Sequence, residues 1–184
     1  MKLALAFVMT AGAAWAEEAE PIAAFAPCLQ GEIAQFERDL KRARLDSYDG
    51  LAPYVDARGA DVCGANGIVL CDHGDNPVPC QHALAEEQEA LREAVLLSLP
   101  VPAGAGLYGR VYALANGHSA GDDCAGTTPV MEAWCEAREA THRFEMAVLA
   151  YQLARDAGVV APAYELGWVQ APAPLRPRAR EVQP

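Results

Sequence analysis

In the stretch CDHGDNPVPCQH, Cys71, His73, Cys80 and His82 form two Cys-x-His pairs nine residues apart. Two thiolates and two imidazoles are a ligand set that zinc or copper accepts. The order C-x-H-x6-C-x-H departs from the usual C-x2-4-C and H-x3-5-H ligand pairs, however, and in an oxidising compartment sulfurs like these bond to each other. The sequence therefore favours disulfides with incidental histidines, and keeps His73 and His82 as the metal-binding alternative. Asp72, Asp75 and Asn76 lack the residue order of a calcium loop and read as turn chemistry ahead of Pro77.

A second set of reactive side chains, His118, Ser119, Asp122 and Asp123, falls within the single stretch NGHSAGDD. A serine nucleophile needs its base held apart on a scaffold beside an oxyanion hole, and contiguous loop residues rarely meet that geometry. The chain also lacks a G-x-S-x-G elbow. Glu86/Glu89 and Glu136/Glu139 pair at i, i+3 on polar helix faces, where solvation is the simple reading. His142 shares a face with Cys135 and Met146 and reads as a half-buried helix histidine. Haem attachment through C-x-x-C-H, C-x-x-C redox pairs, a phosphate-binding loop and a dinucleotide fingerprint are all missing. No catalytic residue and no cofactor is expected, and binding is favoured over catalysis, with a small enzyme of unrecognised type using the loop histidines, tested at His118 and Ser119, as the alternative.

The segment that would deliver these residues to an oxidising compartment is MKLALAFVMTAGAAWAEE. One cation at Lys2, an apolar run from Leu3 to Met9, and Ala14-Trp15-Ala16 as a cleavage site make residues 1–16 an expected signal peptide. No later segment reaches about 18 uninterrupted apolar residues, so no membrane span is expected after cleavage. Loss of Lys2 turns 14 basic side chains into 13 against 25 acidic ones, a net charge of −12. Such a body repels phosphate backbones, which argues against nucleic-acid binding and leaves a cationic protein as the compatible partner. The six cysteines, Cys28, Cys63, Cys71, Cys80, Cys124 and Cys135, are an even set after the leader. Three disulfides are expected, in a periplasmic or secreted protein, with 15 pairings open.

The elements that must position these groups are helical, and the expected fold class is all-α. Leu29, Ile33, Phe36 and Leu40 give a helical stripe over Leu29 to Arg44, closed by Asp46-Ser47-Tyr48-Asp49-Gly50. Leu84, Gln88, Leu91 and Val95 mark a second helix from Gln81 to Leu99, stopped by Pro100 and Pro102. A shorter one spans Leu107 to Asn116, with Gly117 as an expected left-handed cap. The longest begins with Thr128 as N-cap, Pro129 at the first helical position and Glu132 in the first turn, and runs to Asp156 before Gly158. Its apolar side is carried by Met131, Trp134, Cys135, Phe144, Val148, Leu149, Tyr151 and Leu153, and the other helices are expected to pack around it. Residues 46–80 read as a long irregular Cys-rich loop with only Gly67 to Leu70 strand-like. The expected organisation is one stapled domain over 17–169 and an extended Pro/Arg-rich tail over 170–184, in which Arg176, Arg178 and Arg180 face one Glu181.

Residues 123–155, DCAGTTPVMEAWCEAREATHRFEMAVLAYQLAR, carry a pattern in which a cysteine, a Thr/Met segment, a second cysteine and a tyrosine-bearing helix follow one another. Cys124, Thr128, Met131, Cys135 and Tyr151 in this order resemble the N-terminal module of LprI-type lysozyme-inhibitor proteins. Phe144 and Ala147-Val148 depart from that module. The resemblance implies a cationic hydrolase such as lysozyme as partner. Cys124 lies just before the long helix and Cys135 two turns inside it, so a Cys124–Cys135 bridge that pins the entry loop is expected. It closes a loop worth roughly 2–3 kcal/mol in the chain-entropy model.

Overall fold

The computed structural model describes residues 24–46, 54–117 and 124–171. They form six α-helices: α1 (Phe25–Leu45), α2 (Arg58–Asp72), α3 (Pro77–Leu97), α4 (Leu107–Asn116), α5 (Pro129–Asp156) and the single turn α6 (Ala163–Leu166). No strand occurs among the described residues, and the fold is all-α. The expected leader at 1–16, the 118–123 cluster of His118, Ser119, Asp122 and Asp123, and the arginines of the tail lie outside the described residues. Gln170, expected to open the tail, is held to α1, because Gln30 donates from Nε2 to its carbonyl at 2.7 Å and accepts its N–H at 2.9 Å.

The direction of the helices follows from which residues meet. Cys28 is bonded to Cys63, and Cys71 to Cys80, so α1/α2 and α2/α3 are antiparallel hairpins. His82 pairs with Glu136 and Glu89 with Arg143, a constant offset of 54 residues, so α3 and α5 run the same way. The short α4 is the return segment, fixed where Arg92 donates to the Ala115 carbonyl at 3.1 Å. At 1.5 Å per residue the 28-residue α5 is about 42 Å long. Helices α2, α3 and α4 all pack on it.

Residues 46–80 are not one long loop, because α2 occupies Arg58–Asp72 and Gly67 to Leu70 are helical rather than strand-like. The buried positions of α2 are Ala60, Cys63, Gly64, Gly67, Ile68 and Cys71, a regular helical stripe built mostly of small residues. The smallness lets backbones close up. A Cβ on Gly64 would lie 2.3 Å from Thr141 of α5, and one on Gly67 would lie 2.9 Å from Leu84 of α3. The facing seam of α5 is similar, with Ala133, Ala137, Ala140, Phe144, Ala147, Tyr151 and Ala154 buried at alternating steps of four and three. Of the large residues expected to carry the apolar side, Phe144, Val148 and Tyr151 are buried, whereas Met131 is exposed. Helix α1 instead meets α5 through aromatic side chains. Phe25 lies edge-on to Phe144 at 5.7 Å and Phe36 to Tyr151 at 6.1 Å, while Trp168 from beyond α6 caps Tyr151 at 4.9 Å.

The helix ends differ from expectation where proline and glycine were read as breakers. Helix α3 begins at Pro77, four residues before Gln81, since prolines in a first turn lack only an N–H that has no helical acceptor. Pro27 is accommodated in the same way in α1. Gly117 is extended, at φ −77°, so the expected left-handed cap of α4 is absent. Gly158 does take the left-handed conformation, at φ 73°, and Val159 N–H donates to the Ala154 carbonyl in a Schellman-type end of α5. The start of α5 is as expected: Thr128 Oγ1 accepts the Met131 N–H and Cys124 is bonded to Cys135.

Candidate functional site

The six cysteines form three bridges, Cys28–Cys63, Cys71–Cys80 and Cys124–Cys135, with Cα separations of 5.5, 5.4 and 6.3 Å. Cys71 and Cys80 are bonded to each other, so the CDHGDNPVPCQH segment has no thiolates to offer a metal. Its imidazoles are placed apart from one another in role. His73 caps α2 through its backbone N–H, and His82 Nδ1 lies 2.7 Å from the Glu136 carboxylate across the α3/α5 seam. Among the described residues no three His, Cys, Asp or Glu side chains gather closely enough to hold a metal ion.

Two of the carboxylates singled out on α3 and α5, Glu89 and Glu136, pair with basic side chains. Glu89 is shared by Arg92 and Arg143, and Glu136 pairs with His82. His142 is half-exposed and lies 3.5 Å from Glu145. Burial, then the nearby Asp61, push the Glu145 carboxyl above the usual carboxylate range, while His142 and Arg138 pull the other way. Near the end of α5, the Tyr151 hydroxyl donates to Glu37, whose two oxygens also accept from Arg155 at 3.2 Å. Burial, followed by the adjacent Glu37, raises the phenol well above its ordinary range. This tyrosine acts as a buried strut rather than as an acid or base.

A concave surface exists elsewhere, between α1, the start of α2 and the later half of α5. The antiparallel α1/α2 hairpin sets Glu32 against Gly59 and Phe36 beside Tyr54, whose rings are 6.0 Å apart. Ile33, Phe36, Ala57, Ala60 and Val148 form the apolar floor of a groove of about 180 Å³. Glu32, Asp39 and Asp56 are its carboxylates, and Gln35 and Gln152 its carboxamides. No side chain here was singled out from the sequence as a site.

Each polar group of the groove has a distinct environment. Glu32 is exposed and pairs with no other described residue. Asp39 accepts from Gln35 Nε2 at 2.6 Å, and Gln35 in turn accepts from Arg38 at 2.7 Å. Asp56 accepts the Arg58 backbone N–H at 2.9 Å and its Nε at 2.7 Å, and these hydrogen bonds hold its carboxyl below the usual range. Gln152, only 3% exposed, donates from Nε2 to the Asp56 carbonyl at 3.1 Å, and its Oε1 has no partner among the described residues. Tyr54 donates its hydroxyl to Asp156 at 2.6 Å, which fixes its ring as a wall.

The arrangement has acceptors and aromatic surface but no nucleophile paired with a base. Two of its three carboxylates already face arginines of the chain, Asp39 with Arg42 at 3.5 Å and Asp56 with Arg58 Nε at 2.7 Å. No protein-family model, no curated protein and no solved structure matches this chain.

Proposed function

We propose that the chain is an exported, non-catalytic binding protein whose partner is a basic protein, in the manner of an inhibitor of a cationic hydrolase such as lysozyme. The observation that carries this reading is the excess of acidic over basic side chains, a net charge of −11 on a rigid helical frame closed by three disulfides. A surface of one sign accelerates encounter with a partner of the other and selects against partners of its own sign. The bridges support a periplasmic or secreted location, because such bonds persist in oxidising compartments. No helix among the described residues is long and apolar enough to cross a membrane. The pattern of Cys124, Thr128, Met131, Cys135 and Tyr151 supports the lysozyme-type partner by resemblance alone.

The test is titration of the oxidised protein into hen egg-white lysozyme by calorimetry, together with a cell-wall lysis assay. The expected result is saturable binding that inhibits lysis and weakens steeply as salt rises from about 0.02 to 0.3 M, where the screening length falls below 10 Å. Absence of binding at the lowest salt, or equal binding to an acidic protein of the same size, would remove the proposal.

A further inference from the structure

We propose that the turn joining α3 to α4 is a membrane-docking tip, which sinks Leu97 and Val101 into the headgroup and acyl boundary of a neutral phospholipid bilayer. The inference goes beyond the basic-partner reading and does not depend on it. Leu97, 88% exposed, and Val101, 83% exposed, are the two most exposed large apolar side chains among the described residues. A single exposed leucine is ordinary on a protein surface. These two lie four residues apart at one end of the bundle, and the exposed Leu107 joins them where α4 begins. No charged side chain occurs from Ala94 to Gly109, in a chain that is 21% charged overall.

The tip is built rather than loose. Leu99 is buried beneath it, and the Tyr108 hydroxyl donates to the Pro100 carbonyl at 2.6 Å. Gly109 lets the link close on α4, since a Cβ there would fall 2.0 Å from the Gly104 carbonyl oxygen and 3.4 Å from Pro102 Cβ. The stretch also has little to lose on leaving water. Ser98 and Tyr108 are its polar side chains, and both hydroxyls already donate to backbone carbonyls within it, Ser98 Oγ to Val95 at 2.6 Å. Pro100 and Pro102 have no N–H to desolvate. The first charge beyond the tip is Arg110, on the exposed face of α4 between Leu107 and Leu114, where a long side chain keeps its guanidinium at the level of the phosphates. A protein partner is selected by charge and hydrogen-bond patterns that this tip does not offer. A bilayer asks instead for exposed apolar side chains with the polar groups beside them satisfied. The excess of 25 acidic over 14 basic side chains sets the lipid class, because an anionic surface repels the body that carries the tip.

The experiment measures partition of the oxidised chain, purified after export, into vesicles of phosphatidylcholine by co-sedimentation over a range of lipid concentrations. Weak, reversible partition is expected. The double variant L97S/V101S should lower the partition coefficient on the order of a hundredfold, about tenfold for each side chain withdrawn. Both positions are exposed, so this variant should keep the melting temperature of the parent, which separates lost docking from lost folding. Val101→Trp places an indole at the tip, and brominated phosphatidylcholine should quench it. Replacing part of the lipid by phosphatidylglycerol should weaken partition at low salt, and about 0.3 M salt should restore it. Equal partition of the parent and L97S/V101S, or an unquenched Val101→Trp, would overturn the tip. Absence of partition would overturn it too, and a parent dimer that L97S/V101S dissolves would then give this surface to a second copy of the chain.

Discussion

Two glycine-to-alanine substitutions test whether α2 lies as close to α5 as the structure places it. Gly31 sits on the exposed side of α1, and a Cβ there meets nothing within 4 Å. Gly64 sits in α2, and a Cβ there falls 2.3 Å from Thr141 Cγ2 and 2.9 Å from Thr141 Cβ. Both changes relieve the conformational cost of glycine within a helix, a gain of about 0.5–1 kcal/mol. At Gly31 nothing opposes it, so Gly31→Ala should stabilise by about that amount. At Gly64 the Thr141 Cβ cannot rotate away, so the two helices must part by about 0.5 Å to restore an ordinary contact of 3.4 Å. Overpacking of this kind costs about 1–3 kcal/mol, which leaves Gly64→Ala a net loss of about 1–2 kcal/mol after the propensity gain. For a chain of this size that is a fall of roughly 2–8 °C in Tm. The assay is thermal and guanidinium unfolding with the disulfides intact. Adding Thr141→Ala removes two of the three close atoms, so the double variant should be less destabilised than the two single changes predict together. If Gly64→Ala stabilised the protein as much as Gly31→Ala, the close approach of α2 to α5 would be wrong, and with it the inner wall of the groove.

Two other predictions follow from the bridges and from Glu145. Replacing Cys28 and Cys63 by alanine frees a loop of 35 residues, against 9 for Cys71 and Cys80. In the chain-entropy model these losses are about 4 and 3 kcal/mol, and guanidinium midpoints that place the Cys28/Cys63 variant above the other would refute the ordering. The raised Glu145 carboxyl binds its proton more tightly in the folded than in the unfolded chain, so stability falls as pH rises from the unfolded value through the folded one. Glu145→Gln should therefore be more stable than the parent at pH 7, with the advantage fading as pH drops below the ordinary carboxylate range. Parallel stability curves for the two proteins between pH 3 and 7 would show that burial does not penalise this charge.

Helices whose core faces carry large side chains can be read from the sequence, and those whose faces are small cannot be read so easily. Leu29, Ile33, Phe36 and Leu40 announce α1, and Thr128, Pro129 and Glu132 announce the start of α5, because bulk and capping chemistry are local signals. The stripe of α2 has the same period, yet Ala60, Cys63, Gly64 and Gly67 are residues that turns also use. The periodicity was the available signal, and its small volumes are what the close packing on Thr141 and Leu84 requires. The alanine seam of α5 is masked in the same way. The Cys124–Cys135 bridge could be anticipated, since both cysteines belong to one local unit. Cys28–Cys63 depends on the α1/α2 hairpin and could not. The groove is harder still, because Glu32, Asp56 and Gln152 meet only through the packing of three helices, and no local pattern marks them.

The pattern of covalent links also bears on how such a groove would behave. Two bridges tie α1 to α2 and α2 to α3, and the third lies within the entry to α5, so no disulfide crosses from the α1–α3 unit to α5. The wall formed by α1 and α2 is thus fixed by a bond four residues from Glu32, whereas the opposite wall is held by non-covalent contacts. These include Tyr54 with Asp156, Gln152 with the Asp56 carbonyl, and Glu37 with Tyr151 and Arg155. A covalently fixed acidic rim loses little conformational freedom on meeting a partner, which favours affinity by preorganisation. Reduction of Cys28–Cys63 would loosen the rim itself, because that bridge sets Glu32 opposite Gly59 and Phe36 beside Tyr54. The bridge that the chain-entropy argument ranks highest for stability is therefore also the one closest to the groove.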